Sequence, residues 1–467
     1  MNRRSSLLLF FVLCVLSNPL MADADFTLQS VNPLKPAPLQ EPLHLGVGVR
    51  LQTLRSVAET NGVTFNVESA SDILGNPTGG MSTGATYSGL LVMSALVDLQ
   101  KAMGWEGASI KTTWLWLYGN NLSAQYLGNS LAASSIAGVP AFRCYEMWFQ
   151  QNFLGNAFSL RAGLLGLDTE FIISDTATFF VNAAFGIAPL FAMNIPNGGP
   201  QCPMATPGVR LALQPLPWLT LRSAISQANP FQQQANQYNF NWNFGPAGGL
   251  LSLNELQAAW NKAPSDRALP GTAKAGFWIE SGAAAQESSL DQFAFAPPNA
   301  SAYNSGFYGI IDQELYRPSD KISPGTVADS KASANRDRNY VQTQGVSPNA
   351  SFVQGLSSFF RVGFSPQADA PVSLYSDAGL VYTGLIPTRY KDRLGLAFGY
   401  AKVGPQQVQN ASETGYRATF EAVGEVSYAF RFHSVSIQPD LQYIIHPGGT
   451  RQYANALVVG VRVVVVF

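Results

Sequence analysis

Charge is what this chain has least of. Asp, Glu, Lys and Arg make up 12% of its 467 residues, about half of the roughly 25% usual in soluble globular proteins. The 28 basic and 29 acidic residues nearly cancel, so there is no basic field to attract nucleic acid. Histidine and cysteine are equally scarce. His44, His433 and His446 are scattered, without the neighbouring His or Cys that a metal site needs, and no metal is expected. The sequence offers no phosphate-binding glycine loop and no nucleophile elbow, so no catalytic residue and no cofactor is expected. Nor is there a second long apolar run after the N-terminus, so any membrane residence must come from strands.

What is present begins with an export signal. Arg3 and Arg4 precede the apolar run Leu7 to Leu16, and a small-residue site follows at Ala22-Asp23-Ala24. Residues 1–24 are therefore expected to be a signal peptide. The run is shorter than the ~20 residues that a spanning helix requires. Leu13 precedes Cys14 where a lipidated cysteine would want a small residue. Residues 25–61 start Pro-rich and continue through Leu51, Leu54, Val57 and Ala58, which predicts a periplasmic segment with a short amphipathic helix.

From residue 62 onward the apolar residues recur with period two. Leu457, Val459, Val461, Val463, Val465 and Phe467 share one face of the terminal segment. Val435, Ile437, Leu441, Tyr443 and Ile445 alternate with Ser436, Gln438, Asp440, Gln442 and Ile444. Successive strand side chains point to opposite faces, so each segment reads as a strand with one greasy and one polar side. A soluble sandwich alternates too. These runs are longer than the usual five or six residues, however, and their aromatics cluster at the ends, where a lipid–water boundary would lie. A closed barrel is the one strand architecture that leaves no unpaired backbone in lipid. The expectation is an all-β chain, a closed transmembrane antiparallel barrel of about sixteen strands spanning 62–467. Short turns should alternate with long loops at 119–138, 166–206, 228–248 and 283–305. The polar segment 318–355 breaks this scheme, because parity puts a long connection where a short turn belongs.

Several motifs add a resemblance. They are Gly75-Asn76-Pro77-Thr78-Gly79-Gly80, Gly104-Trp105-Glu106-Gly107 and Asn194-Ile195-Pro196-Asn197-Gly198-Gly199-Pro200. Further on stand Ala205-Thr206-Pro207-Gly208-Val209-Arg210, Asp377 to Pro387, Ile437 to Gly449, and Asn455 to Gly460. In this order, from about Gly62 to Phe467, they resemble the carbohydrate-selective porins of the OprB type. That resemblance implies a sixteen-stranded outer-membrane channel passing sugars, glucose-like ones in its best-known members. The 318–355 segment departs from the family, which has a short turn there.

Sugar passage needs a wet lumen with hydrogen-bonding groups and charges of both signs, since a one-sign ring would select ions. Alternation nominates Glu146, Trp148, Arg161, Arg210, Arg222, Glu421, Glu425, Asp440 and Arg462 as inward-facing. They can line the path of the solute or brace the wall as ion pairs. Loop 166–206 carries Asp168, Glu170 and Asp175 before the apolar run Phe179 to Phe191. Such a run suits a constriction loop folded inward, and its alternative is a surface loop touching a neighbouring subunit. The spacing of Asp168 and Glu170 would also suit a glycosidase pair, a reading that the barrel pattern outweighs. Cys144 and Cys202 are the cysteines beyond the signal. In an oxidising compartment they suggest a disulfide tethering that loop.

These readings converge on passive diffusion of small sugars, monosaccharides or short oligosaccharides, through the outer membrane of a Gram-negative-type bacterium. The partners expected are outer-membrane lipid, the barrel-assembly machinery through the strand ending at Phe467, and either no second subunit or a homotrimer. A general or other-solute porin remains an alternative. From another class, a secreted all-β carbohydrate-binding protein would share the aromatics and the Gly/Asn turns.

Overall fold

The computed structural model describes residues 55–242, 248–262, 266, 268–281, 303–318, 354–413 and 415–467. Sixteen antiparallel strands, each paired with its sequence neighbours, close into one barrel when β16 (Ala454–Val466) pairs with β1 (Val63–Gly80). The period-two runs are the strands. The two runs described above lie in β15 (Val435–Ile445) and β16. β1 continues to Gly80, and before β14 (Phe420–Phe432) the chain forms a helix, Pro405–Glu413, and an isolated bridge from Ala418 to Thr450. No helix among the described residues is long and apolar enough to span a membrane.

Faces follow the alternation. Val459 on β16 and Ile437, Leu441 and Tyr443 on β15 (Val435–Ile445) are exposed on the outside. Ser436, Gln438, Asp440 and Gln442 between them are buried inside. At the seam, Asp72 pairs in register with Arg462. Arg462 Nε and Nη2 donate to the two Asp72 carboxylate oxygens at 2.7 and 2.6 Å, and both residues are fully buried. Gly79, where the β1–β16 register shifts between Thr78 and Gly80, has φ +77° and lies so close to the Asn455 carbonyl that no Cβ fits. Contrary to the expectation that the sequence holds no such motif, Gly80-Met81-Ser82-Thr83-Gly84 does have the spacing of a nucleophile elbow. It joins β1 to β2 (Gly84–Asp98), strand to strand, and lacks the strand-to-helix geometry that exposes a nucleophile.

The first described residues and the C-terminus lie at one end of the barrel. Residues 55–60 are helical, and Arg55 Nη1 donates to the Phe467 carbonyl at 3.1 Å. The rest of the expected N-terminal segment and the signal region lie outside the described residues. β10 (Tyr303–Tyr316) and β11 (Gly355–Phe364) pair directly with each other, so 317–354 is a single connection at that same end. The barrel closes without a strand from it, and its central part, 319–353, lies outside the described residues.

Removing one member of a buried ion pair leaves the other uncompensated, typically at a cost of about 3–5 kcal/mol. Arg462→Met should therefore lower the urea midpoint of the folded barrel in detergent, and D72N/R462M should recover much of the loss. A single variant as stable as the parent would show that the seam pair contributes nothing.

Candidate functional site

Inward-facing polar side chains need partners, and water or another part of the chain must supply them. Here two loops from the end opposite the termini do so. They are residues 120–140, between β3 (Ala108–Gly119) and β4 (Ala141–Phe153), and residues 166–205, between β5 (Phe158–Leu165) and β6 (Thr206–Leu216). The apolar run of the second loop forms a core inside the barrel. Phe180 and Phe185 lie 6.0 and 6.4 Å from Phe359, and Phe191 meets Trp278 edge-on at 5.6 Å. The inward fold expected from that run is thus what the structure has. The loop of 120–140 also turns in, which its polar Gly/Asn/Ser composition did not signal.

One set of polar contacts follows a common pattern: wall acids accept loop N–H groups, and wall bases donate to loop carbonyls. Glu421 accepts from Ser130 N and Leu131 N at 2.8 and 2.7 Å, and from Gly448 N at 2.7 Å. Glu425 accepts from Val181 N and Asn182 N at 2.6 and 2.9 Å. Glu255 accepts from Ile172 N at 3.1 Å, and Asp312 from Thr176 N at 3.1 Å. On the basic side, Lys274 Nζ donates to the Ile173 carbonyl at 2.7 Å. The Arg361 guanidinium, paired with Asp377, donates to Ala184, Phe185 and Gly186 carbonyls at 2.9, 2.8 and 3.2 Å. Hydrogen bonds to ionised groups are roughly twice as strong as neutral ones, so these clamps hold a loop with little regular structure of its own.

All nine inward candidates point into the barrel, and the structure distributes them among distinct clusters. Arg210 grips Glu170 with Nε and Nη2 at 2.6 and 2.9 Å, and Arg161 Nη1 lies 3.4 Å away. The Arg161 guanidinium also stacks over Trp148, 3.9 Å from the ring centre. Glu146 is taken by Lys111 at 3.0 Å. Arg222 bridges Glu255 and Gln257 at 3.2 and 3.0 Å. Asp440 accepts from Ser427 and Gln442 at 2.5 and 2.7 Å, beside Glu425, while Arg462 belongs to the seam. Of these groups Glu170 and Arg222 keep appreciable side-chain exposure, 23% and 20%. Asp175 is exposed as well. Asp168 is buried and accepts from the Tyr145 hydroxyl and from Cys202 N, the latter at 3.1 Å. It stands apart from Glu170, whose partners are arginines.

Asp72, Lys111, Glu255, Lys274, Asp312, Arg361 and Asp377 were absent from the candidates, although they lie on the same inward face. The alternation would have found each of them; Asp72, Lys111 and Glu255 sit in register with Arg462, Trp148 and Arg222, and Arg361 sits in register with Asp377.

The expected disulfide is not formed: Cys144 and Cys202 are both free thiols. The reason is a one-residue bulge. Thr113 pairs with Glu146 but Trp114 pairs with Cys144, so Tyr145 is the extra residue. The bulge puts Cys144 on the face shared by Trp114 and the exposed Phe142, the outside, and turns Tyr145 inward to Asp168. Strict alternation had placed Cys144 inside.

A closed barrel with loops folded through its lumen is an architecture for passage, and comparison with known proteins decides which kind. Residues 82–467 match the carbohydrate-selective porin, OprB family. The chain belongs to that family. Porin B of Pseudomonas aeruginosa is 23% identical over 432 residues, covering 87% of this chain and 88% of the relative. The high-pH structure of Pseudomonas putida OprB superposes with a TM-score of 0.71 at 20% identity, over 89% of this chain and 97% of the other. The low-pH structure of the same protein gives 0.52 at 16% identity, over 90% and 98%. At these identities the structures establish a common fold. Family membership makes the chain an outer-membrane porin and displaces the secreted carbohydrate-binding alternative.

In this OprB-family porin the loop acids respond to their surroundings in opposite directions. Burial pushes the Asp168 carboxyl up to about 7, although the Tyr145 hydroxyl and Cys202 N–H favour its ionised form. Burial would also raise Glu170, but Arg161, Arg210 and Arg222 outweigh it and hold that carboxyl at about 2. A raised acid favours the docked loop as pH falls through about 7. A depressed one supports docking above its ordinary 4.5 and loses that support only as pH falls toward about 2. Both therefore favour the docked loop between 4.5 and about 7. Single-channel current should be quietest there and noisier at about pH 8, and Asp168→Asn should abolish that rise. Noise that is independent of pH in the parent would contradict this. Removing the Arg361 clamp without stranding its partner, in R361M/D377N, should raise conductance. Unchanged conductance would mean that the apolar core alone holds the loop.

Proposed function

We propose that this porin is a passive channel for small neutral carbohydrates, monosaccharides such as glucose first among them, moving down their own gradient. The observation that carries the reading is the pairing of charge inside the barrel. Acids and bases on the wall are matched to one another and to the loop backbone, so the interior presents hydrogen-bonding groups without a field of one sign. An ion gains nothing from such an interior, whereas a polyhydroxylated solute can exchange hydrogen bonds with water for bonds to the wall. Glu170 and Arg222, the partly exposed members of their ion pairs, are assigned as solute contacts. They present an acceptor and a donor to hydroxyl groups. Asp175 is assigned to the constriction with them. Glu146, Trp148, Arg161, Arg210, Glu421, Glu425, Asp440 and Arg462 are assigned to bracing that path. The second loop, filling the lumen with phenylalanines, narrows the channel and thereby favours single sugar rings over longer chains.

Single-channel recording in planar bilayers tests the reading. Glucose added at millimolar levels should reduce the ion current in a saturable way, with a disaccharide less effective. Arg222→Gln should weaken the glucose effect several-fold while leaving an open channel. A current indifferent to every sugar would overturn the substrate assignment and leave the porin itself standing.

A further inference from the structure

The barrel wall is uneven in height. β4 has 13 residues but β5 only 8, and the last pair between them is Met147 with Leu164. Above that pair, β4 from Ala141 to Glu146 has no strand on its β5 side. In hydrocarbon or at its boundary such an edge is costly. The structure covers it with residues 228–242, part of the connection between β7 (Leu219–Gln227) and β8 (Leu250–Trp260), from three strands away. Cys144 N donates to the Tyr238 carbonyl at 3.3 Å, and Asn239 Nδ2 donates to the Cys144 carbonyl at 3.0 Å. Just before β4, Val139 N donates to Gln233 Oε1 at 3.3 Å. Inside the loop, Asn236 accepts from Asn241 N at 2.9 Å, and Trp242 Nε1 donates to the Asn239 carbonyl at 3.0 Å.

This latch has an unusual sequence. Tyr238, Asn239, Phe240, Asn241 and Trp242 alternate aromatic with asparagine, and no charged residue occurs between Arg222 and Glu255. Asn239 is fully buried against the β4 edge, whereas Tyr238, Phe240 and Trp242 are 63%, 48% and 39% exposed. Their ridge is continuous with the outer wall. Phe240 lies 6.3 Å from Trp114 and 5.9 Å from Trp242, and Trp114 stacks on Phe142 at 5.4 Å. Trp114 and Phe142 belong to the outward, lipid-facing side of β3 and β4.

We infer that residues 238–242 are a lipid-contacting foot, resting at the boundary between headgroups and acyl chains of the outer leaflet. The chemistry fits that occupant. Rings with a polar tip, Tyr and Trp, favour this boundary. The absence of charge removes the desolvation cost that would keep the loop in water. Asn239 on the inner side holds the Cys144 carbonyl of the sheet edge, so the aromatic side can enter lipid without uncovering it. The foot closes the notch left by short β5, and this holds whichever solute the channel passes. A second copy of the chain is the competing occupant.

The test uses the full barrel in phosphatidylcholine vesicles, some with acyl chains brominated near the headgroup. Subtracting the emission of the Trp242→Phe variant from that of the parent isolates Trp242. That difference signal should be blue-shifted, at least halved by the brominated lipid and little changed by aqueous iodide. Phe240→Ser should shift it to the red. Heat-modifiable migration confirms that each variant has folded, and Trp242→Tyr serves if the Phe variant does not. Strong quenching by iodide with none by lipid would overturn the inference in favour of a loop in water. Protection from both quenchers, with a cross-linked dimer on the gel, would overturn it in favour of a second copy.

Discussion

In hydrocarbon a peptide N–H or C=O has no water to turn to, and the antiparallel pairing of β1 with β16 meets that constraint by leaving no first or last strand. The closure dictates the rest. It puts every second side chain inside, where polar groups are sheltered from lipid and oblige one another to pair. It also places an Asp–Arg pair across the joint, with both residues fully buried. The same constraint recurs where the wall is low. Short β5 leaves part of β4 uncovered, and the chain spends an asparagine-rich loop on that edge.

A channel interior built this way is closer to a folded core than to a bare pipe. Charged residues make up 12% of the chain, yet many of the described ones are concentrated on the inner wall, acids reaching loop amides and bases reaching loop carbonyls. A loop with short helical turns has orphan groups at each turn's ends, and a wall of alternating sign can satisfy both kinds. Phenylalanines then fill what the polar clamps leave open. This division of labour lets a loop of 40 residues, 166–205, hold one shape with little secondary structure of its own.

The candidate site shows the same division. Glu170 and Arg222 stay partly exposed because each is anchored by partners behind it: Arg210 and Arg161 behind the acid, Glu255 and Gln257 around the base. Side chains anchored in this way have little conformational freedom left to lose. Asp168, two residues from Glu170, faces Tyr145 and serves the loop's own packing. Adjacent acids therefore have different work, and their distance along the chain is no guide to it.

Strand count, strand faces and the inward residues were all legible in the sequence, because side-chain direction in a strand is a local property with period two. The run Phe179 to Phe191 announced an inward loop for an equally local reason, since so much apolar surface cannot stay in water. Three things escaped. Loop 120–140 turns inward because Glu421, nearly 300 residues away, offers its amides an acceptor. Cys144 faces out because one bulged residue, Tyr145, reverses the alternation, and nothing in the local composition marks it. The partners of Arg361, Glu425 and Lys274 are loop backbone atoms, which carry no side-chain signature. Apart from the bulge at Tyr145, the sequence by itself determined which strand residues face in and which face lipid, since that depends on neighbours two positions apart. The tertiary structure alone decided which inward groups meet and which stay open to a solute, because that depends on where closure brings distant strands and how the loops pack between them.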